Sequence, residues 1–263
     1  SHNSQPWHFL VAPGLIHLYA DRTRALPVND PDDRELTISC GCALFYARAA
    51  AAGISMAASF EILPNPKDPD LLATLRITGG DDPAIGSLDN NIDLRRTYRK
   101  RFDPRQVADS ILDELQAAAA AEGVALSILS LEEQRNTAAD LIAEADAVLW
   151  HNPSWRRELA AWMHPRRQGD GLAVPWLTAP FTQAVVRTFD MGDGQAARDR
   201  QIATESPVLA VLSSPGDGPA DWLRTGQALG RLLLLACDHG VQASFLNPPV
   251  QVPAIPPRLQ HLL

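Results

Sequence analysis

Residues 1–9 read SHNSQPWHF, and we call them the N-terminal motif. A Gln-Pro-Trp core leads into a short apolar, β-prone run at residues 8–11, and Pro13-Gly14 separates it from a second such run at residues 15–19. Two apolar runs joined by a Pro-Gly pair predict a β-hairpin. Asn3 offers a donor and an acceptor to a ligand, or it forms the turn that precedes the first strand.

A second stretch, residues 92–102, reads IDLRRTYRKRF and has five cations in seven positions of a chain whose formal net charge is −8. We call residues 95–99 the Arg run. Guanidinium groups bind phosphate bidentately, which an ammonium cannot do. Arg95, Arg99 and Arg96 supply that geometry, and the Thr97 hydroxyl can bind phosphate or sugar oxygens. The alternative is a solvated basic stretch that opens a helix.

One pattern occurs twice: a turn, a buried helix, a glycine and a strand that ends in Ala-Ser-Phe. The first copy begins with GCAL at residues 41–44 and the second with GQAL at residues 226–229. If the repeat is real, one chain carries two copies of an α+β unit and mimics a symmetric dimer. Chance similarity between two Ala- and Leu-rich helices is the other explanation.

The rest of the chain predicts alternating helices and strands. The predicted helices are residues 35–53, 107–122, 132–150, 155–163 and 221–239, and the predicted strands are residues 54–63, 71–78, 124–129 and 207–213. Gly53, in the left-handed conformation typical of helix ends, Gly123 and Gly240 terminate three of the helices. The Asn-Pro-Ser signal at residues 152–154 starts the helix at residues 155–163. Residues 248–257 predict a Pro-rich loop. Residues 165–194 have a loop-like pattern typical of a lid, a binding loop or a disordered segment, and we call them the candidate lid. Within it, Trp176 stacks over a ligand or packs on the surface.

Composition narrows the classes of function. The chain has 263 residues, 46% hydrophobic and 21% charged, which is ordinary for a globular protein. An excess of acids, 31 against 23 bases, argues against nucleic acid or an anionic membrane as the main partner. Three cysteines without a CxxC pair favour a cytoplasmic location. The chain starts without Met and stops inside a helix-like run, so we expect an internal stretch of a longer protein.

The N-terminal motif resembles the Gln-Pro-Trp motif of the nitroreductase family of FMN proteins, in which a Ser and an Asn contact the flavin ring. The Arg run looks like the family's second signature, an Arg-x-Ser/Thr-x-Arg/Lys segment that grips the FMN phosphate and ribityl chain. In an ordinary nitroreductase this signature comes first, whereas here it follows. That order is similar to the fused-dimer, Acg-like branch of the family.

The resemblance implies an α+β, nitroreductase-like fold: a tandem pseudo-dimer with central antiparallel sheets packed by helices. Residues 1–90 would form the first half, and residues 91–263, which include the candidate lid, the second. One FMN would lie between them. The implied cofactor-binding residues are Ser1, His2, Asn3, Arg95, Arg96, Thr97, Arg99, Phe245 and Asn247, with no catalytic side chain and no metal ligand. His2 either touches the flavin or fills space, and Arg156 and Arg157 make a second polar contact or lie on an exposed helix face.

The implied function is an FMN-dependent NAD(P)H oxidoreductase that reduces a nitroaromatic or quinone acceptor. An alternative is a flavin-sequestering protein whose closed lid blocks turnover. A third possibility is a scaffold that has lost FMN. We expect a monomer that mimics a dimer, without a nucleic-acid or membrane partner.

Overall fold

A computed structural model describes residues 2–165, 169–175 and 177–263. Helices and strands are mixed, which confirms the α+β class. The strands are β1 (Trp7–Ala12), β2 (Leu15–Ala20), β3 (Ala58–Ile62), β4 (Leu71–Ile77), β5 (Ala125–Ile128), β6 (Met163–His164), β7 (Leu172–Ala173) and β8 (Ala210–Ser213). The helices are α1 (Arg34–Gly53), α2 (Pro83–Gly86), α3 (Asp109–Ala120), α4 (Glu132–His151), α5 (Pro153–Ala161), α6 (Ala179–Thr188), α7 (Gly192–Glu205), α8 (Pro219–Asp238), α9 (Pro248–Gln251) and α10 (Pro256–Gln260).

The larger sheet has the strand order β1-β2-β4-β3 and is antiparallel throughout. Its first two strands form the hairpin that the sequence predicts, with Trp7 opposite Ala20 and Gly14 at a positive φ of 71° in the turn. Two smaller sheets pair β5 with β8 in antiparallel fashion and β6 with β7 in parallel. Helix α1 covers the larger sheet through Leu36, Cys40 and Leu44.

Helices α1 and α8, which carry the two copies of the repeated pattern, pack against each other along their length. Phe45 of α1 and Leu234 of α8 share one apolar cluster, and Leu223 of α8 joins the cluster beneath the sheet. Two glycines, Gly41 and Gly226, lie at the contact, where neither position has room for a Cβ atom. The two helices therefore join the part of the chain before residue 90 to the part after it.

A buried ion cluster fastens the same pair of helices. The Glu122 carboxylate, only 5% exposed, accepts hydrogen bonds from Arg48 of α1 at 2.8 Å and from Arg231 of α8 at 3.1 Å. Arg48 also donates to the Gln227 side chain at 2.8 Å and lies over the ring of Phe60 at 4.4 Å. The cluster thus connects α1, α8, β3 and the turn before β5.

Several sequence predictions need correction. Gly53 is the last residue of α1 but does not adopt a left-handed conformation; Ser55 does, with a φ of 57°. Glycine is required at position 53 because a Cβ atom would lie 2.6 Å from the Asp89 side chain. The left-handed turn delays β3 to Ala58, past the predicted start at residue 54. Residues 248–257, predicted as a loop, contain α9 and the start of α10, each opened by a Pro-Pro pair.

The candidate lid is not mainly a loop, which is the largest error of the sequence analysis. It includes the short strand β7, all of α6 and the start of α7. The Gly and Pro residues that suggest a loop stand at helix starts, with Pro180 in the first turn of α6 and Gly192 opening α7. Trp176, expected either to stack on a ligand or to pack on the surface, lies outside the described residues.

Within the described ranges, α1 alone is long and apolar enough to cross a membrane, judged by length and composition. More than half of its most apolar window, 56%, is buried inside the protein. The buried core helix of a globular fold passes the same test.

Candidate functional site

The N-terminal motif forms a tight, partly buried turn before β1. Ser1 lies outside the described residues. His2, Asn3 and Gln5 have positive φ angles of 50°, 54° and 49°, which non-glycine residues rarely adopt. His2 is buried, with its ring 6.0 Å from the Trp155 ring in an edge-on contact. Burial lowers the pKa of His2 to about 4, so its imidazole is neutral at pH 7.

Part of the candidate lid holds this turn. The Asn3 side-chain amide donates to the Gly171 carbonyl at 3.0 Å, and the Gly171 amide donates back to the Asn3 carbonyl at 2.9 Å. The Gln5 side chain donates to the Gly169 carbonyl. Arg24 pairs with Asp170 and donates to the carbonyl of Ser4 at 3.0 Å. The Asn3 side chain predicted to meet the flavin therefore binds lid backbone in this structure.

The Arg run lies beside the segment that follows the second repeat. Thr97 forms a parallel β-bridge with Ala243, and the Tyr98 amide donates to the Ala243 carbonyl at 2.9 Å. This pairing brings residues 95–99 next to the chain that leads to Phe245 and Asn247, both of which are exposed. The structure therefore groups two of the three predicted parts of the cofactor site.

The positive charge of the Arg run is not neutralised by neighbouring acids. Across the described ranges, Arg95, Arg96, Arg99 and Lys100 form no ion pair, and only Arg101 reaches a carboxylate, that of Glu205 at 3.0 Å. Arg96 donates to the Arg95 carbonyl at 2.8 Å, and its side chain is exposed. Unpaired cations grouped in an acidic protein form a local positive field, which attracts anions.

Arg95 is half-buried, and its Nε atom is fully buried without a hydrogen-bond partner in the described structure. Its backbone amide donates to the Asn91 carbonyl at 2.9 Å, and Asn91 donates to Asp238 at the end of α8 at 3.0 Å. Arg95 therefore stands on a fixed support between α8 and α1. On α1, its guanidinium lies beside the hydroxyl of Tyr46.

Tyr46 and Cys42 are functional candidates that the sequence analysis missed. Burial raises the pKa of the Tyr46 hydroxyl, and the proximity of Cys42 adds to the shift, while the charge of Arg95 opposes it. Burial raises the pKa of the Cys42 thiol to about 11. Both groups therefore stay protonated and neutral at pH 7. The signal in the sequence is a polar pair at i, i+4 spacing on one face of an otherwise apolar helix.

A buried polar network lies at the other end of α1. The Glu35 carboxylate accepts hydrogen bonds from Gln251 of α9 at 2.7 Å and from Asn29 at 3.2 Å. The Trp155 indole donates to Asn29 at 2.8 Å, and the same indole ring contacts His2. Glu35 is thus linked through Asn29 and Trp155 to the N-terminal motif.

Helix α1 therefore runs past two of the predicted parts of the site, the N-terminal motif and the Arg run. Glu35, Cys42 and Tyr46 are seven and four residues apart, spacings that place them on one helical face. The N-terminal motif is linked to the Glu35 end, and the Arg run lies at the Tyr46 end. No hydrogen bond or ion pair joins Asn3 directly to residues 95–99 in the part of the chain that the structure describes.

Arg156 and Arg157, expected either to make a second polar contact to the flavin or to lie on an exposed helix face, both have partners within the protein. Arg156 is buried and donates to the Trp150 carbonyl near the end of α4. Arg157 is exposed and donates to the Ser154 hydroxyl at 2.9 Å. A cavity of about 270 Å³ lies at a different place, between residues 63–69 and the first turns of α1 and α8.

The chain is similar over nearly its whole length to several proteins of Mycobacterium tuberculosis. One, an uncharacterized protein, is 29% identical over 255 residues, which cover 94% of this chain and 74% of that protein. Another, named "Putative NAD(P)H nitroreductase", is 29% identical over 95% of this chain and 73% of its own length. "Putative NAD(P)H nitroreductase acg" is 28% identical over 94% and 75%, respectively. No family model matches the chain. These relatives support the nitroreductase resemblance that the two motifs carry.

Proposed function

We propose that this protein is an FMN-dependent NAD(P)H oxidoreductase of the nitroreductase type, with a nitroaromatic or quinone acceptor. The observation that carries the proposal is the Arg run: its three arginines form no ion pair within the described ranges, they lie beside an exposed segment, and one of them has a buried, unsatisfied Nε atom. Relatives named as NAD(P)H nitroreductases support the same interpretation over most of the chain.

The residues present fit a phosphate-bearing cofactor. Arg95, Arg96 and Arg99 supply guanidinium groups that pair with no carboxylate of the described structure, and Thr97 supplies a hydroxyl on the same segment. A buried donor without an acceptor is rare in native proteins and often marks a place where a ligand, an ion or a water molecule binds. In the proposal these residues hold the phosphate and ribityl chain, while Ser1, His2 and Asn3 meet the ring. When bound, FMN supplies the hydride chemistry, and the protein supplies orientation and positive charge.

In the same proposal, residues 1–90 and 91–263 are two nitroreductase-like halves of a pseudo-dimer. The two copies of the repeated pattern form α1 and α8, and these helices meet through Gly41 and Gly226, the corresponding residue of each copy. A symmetric dimer interface contains contacts of this kind, because the same patch is used on both sides. The proposed protein is a cytoplasmic monomer.

A specific observation favours the second candidate function, flavin sequestration behind a closed lid. Residues 169–171 bind the Asn3 side chain and backbone and the Gln5 side chain, and Arg24 fastens Asp170 to the same turn. A lid docked in this way would limit access of a hydride donor to the ring. The two candidates share the cofactor and differ in turnover.

The test is a visible absorbance spectrum of the purified protein after incubation with FMN, followed by anaerobic addition of NADPH and then NADH. A flavin band that bleaches with either donor supports the oxidoreductase, and acceptors are then screened. A band that persists with both donors supports sequestration. Failure to bind FMN would exclude both candidates.

Matched variants connect the result to the Arg run. Arg95→Ala should weaken FMN binding by about tenfold or more, because charged hydrogen bonds to phosphate are lost. Arg76→Ala removes the same charge from an exposed position on β4 and should leave the dissociation constant unchanged. If the two variants bind FMN with equal dissociation constants, the Arg run does not bind the cofactor.

A further inference from the structure

The cavity of about 270 Å³ lies where the first turns of α1 and α8 meet the loop between β3 and β4. The buried part of its lining is apolar: Leu72 of β4 is only 2% exposed, and Leu63 packs against the same core cluster. Rings make up much of the remaining lining, those of Pro66, Pro69, Pro219 and Trp222. Because an apolar cavity of about 150 Å³ holds a benzene molecule, this one has room for a ring with a short side chain.

The lining is held in place without a ligand. The Trp222 indole donates to the Asp217 carboxylate at 2.7 Å, which fixes the orientation of the ring. In the loop between β3 and β4, the amides of Lys67 and Asp68 each donate to Asn65 at 3.0 Å. The two prolines of this loop restrict its backbone further. Little ordering of the protein would therefore oppose binding.

Carboxylates dominate the charged part of the lining. Asp32, Asp33 and Asp68 line the cavity, and of the described lining residues only Arg22 is basic. Arg22 already pairs with two carboxylates, that of Asp33 and, through its Nε atom at 2.7 Å, that of Asp70. Neither Asp32 nor Asp68 forms an ion pair within the described ranges. The cavity therefore has a negative local field, which attracts cations.

The positive ends of α1 and α8 do not offset this field, because other carboxylates cap them. The Leu36 amide in the first turn of α1 donates to Asp30 at 2.8 Å. The Gly218 amide at the start of α8 donates to Asp221 at 3.4 Å. Neither of these aspartates lines the cavity. The helix ends thus act on carboxylates outside the cavity, and the two unpaired ones within its lining stay without a counter-charge.

We propose that this cavity binds a small organic cation, a protonated primary amine that carries one aromatic ring. The ring packs among Leu72, Trp222 and the prolines, and the ammonium group pairs with Asp32 and Asp68. An apolar cavity with a few charged groups of one sign is the usual form of a site for a small charged ligand.

The amine site is separate from the Arg run. It lies at the first turn of α8, whereas the support of Arg95 reaches Asp238 at the other end of that helix, which is about 30 Å long. The two places also have opposite charge, so a ligand suited to one is repelled by the other. The inference therefore does not depend on FMN binding.

The experiment titrates the protein with three probes of similar shape and different charge: benzylamine, benzyl alcohol and benzoate. At pH 7 the first is a cation, the second is neutral and the third is an anion. Benzylamine should bind about tenfold more tightly than benzyl alcohol, because it forms two partly exposed ion pairs, and benzoate should bind most weakly. If no probe binds, the cavity is not a ligand site. If benzyl alcohol or benzoate binds as tightly as benzylamine, the assignment to a cation is wrong.

Nuclear magnetic resonance locates the bound amine. An aromatic ring in the cavity should shift the indole N–H signal of Trp222, which Trp222→Phe identifies by removing it. The amides of Lys67 and Asp68 are a second local reporter, independent of that variant. If benzylamine binds and none of these signals moves, the amine lies elsewhere and the inference is overturned.

Variants connect the affinity to the two carboxylates. Asp32→Asn and Asp68→Asn should each raise the dissociation constant of benzylamine about threefold, and the double variant about tenfold, without changing that of benzyl alcohol. Asp81→Asn is the matched control, because Asp81 is exposed beyond the end of β4 and the cavity lies at the start of that strand. Asp32 is exposed, so its variant keeps the test valid if Asp68→Asn disturbs the loop. Equal benzylamine affinities for the double variant and the control would overturn the inference.

Discussion

Gly41 and Gly226 lie face to face where α1 and α8 pack. A Cβ atom on Gly41 would lie 3.0 Å from the Gly226 Cα and collide with the Leu223 carbonyl oxygen. A Cβ atom on Gly226 would lie 2.7 Å from the Gly41 Cα and collide with the Ile38 carbonyl oxygen. Leu223 and Ile38 each stand three residues before the glycine of their own helix. The contact is therefore reciprocal, as at a twofold interface.

Adding a methyl group at either glycine should push the helices apart. We expect Gly41→Ala and Gly226→Ala each to lower the free energy of unfolding by about 3 kcal/mol, since backbone atoms on the opposite helix cannot move aside as a flexible side chain would. Gly194→Ala is the control, because Gly194 lies in α7 with open space around it. Urea denaturation measures all three. Equal stabilities for Gly41→Ala and the control would contradict the close contact.

The Glu122 cluster should be equally sensitive to the loss of one charge. Glu122→Gln keeps the size of the side chain but leaves Arg48 and Arg231 buried without a counter-charge. We expect a loss of about 3 kcal/mol in the free energy of unfolding. Asp140→Asn, which breaks an exposed pair with Arg200, should change it by less than about 0.5 kcal/mol. If both variants lose the same small amount, the cluster contributes no more than a surface ion pair.

Helices with strong apolar patterns and clear caps could be predicted from the sequence. The start of α5 is an example: the Asn152 side chain accepts hydrogen bonds from the Ser154 amide at 2.9 Å and the Trp155 amide at 3.4 Å, as the Asn-Pro-Ser signal predicts. The hairpin can be predicted too, because two apolar, β-prone runs and the Pro-Gly pair between them are local signals. The existence of these elements therefore needed no tertiary information.

Features that depend on distant contacts could not be predicted. The sequence pattern makes Gly53 a left-handed terminator, yet the glycine is needed because Asp89 approaches its backbone. The Gly and Pro residues of the candidate lid hide α6 and α7, which form against α5 and α4. Tyr46 was overlooked because its importance arises only when the fold brings Arg95 to it.

The docked lid should loosen when its ion pair is removed. Asp170→Asn breaks the contact with Arg24, and hydrogen exchange of residues 169–171 should speed up by about two- to fivefold, which is typical of an exposed pair. Asp193→Asn, at the start of α7, is the control. If the docked lid limits turnover, the same variant should also speed bleaching by NADPH. Unchanged exchange at Gly171 would show that the hydrogen bonds from Asn3 and Gln5 hold the lid without the ion pair.

The ion pair between Arg24 and Asp170 should weaken in acidic solution. A hydrogen bond from Arg24, with the charges of Arg24 and His164, holds the pKa of Asp170 below its usual value. The stabilisation from this ion pair is therefore complete above the usual pKa of an aspartate carboxyl. It is lost as the pH falls through the lowered pKa of Asp170. Exchange at residues 169–171 should be flat from pH 8 to pH 5, after correction for intrinsic rates, and should rise in more acidic solution only in the unchanged protein.

Asp146, buried between α4 and α7, should produce the opposite trend. Burial raises its pKa to about 7, and the nearby Asp199 carboxylate, which accepts its proton in a hydrogen bond, adds to the shift. The folded protein therefore holds a proton there between about pH 4 and pH 7 that the unfolded chain has released, so this group makes stability fall as the pH rises through that range.

Asp146→Asn keeps a hydrogen-bond donor at this position but does not titrate. It should be more stable than the unchanged protein at pH 8, by on the order of 2 kcal/mol, and about equally stable at pH 4. Denaturation at the two pH values measures the difference, with Asp140→Asn on the same helix as the control. If the stabilities of Asp146→Asn and Asp140→Asn change with pH in the same way, Asp146 is ionised in the folded protein. The fold then tolerates two negative charges side by side, on Asp146 of α4 and Asp199 of α7.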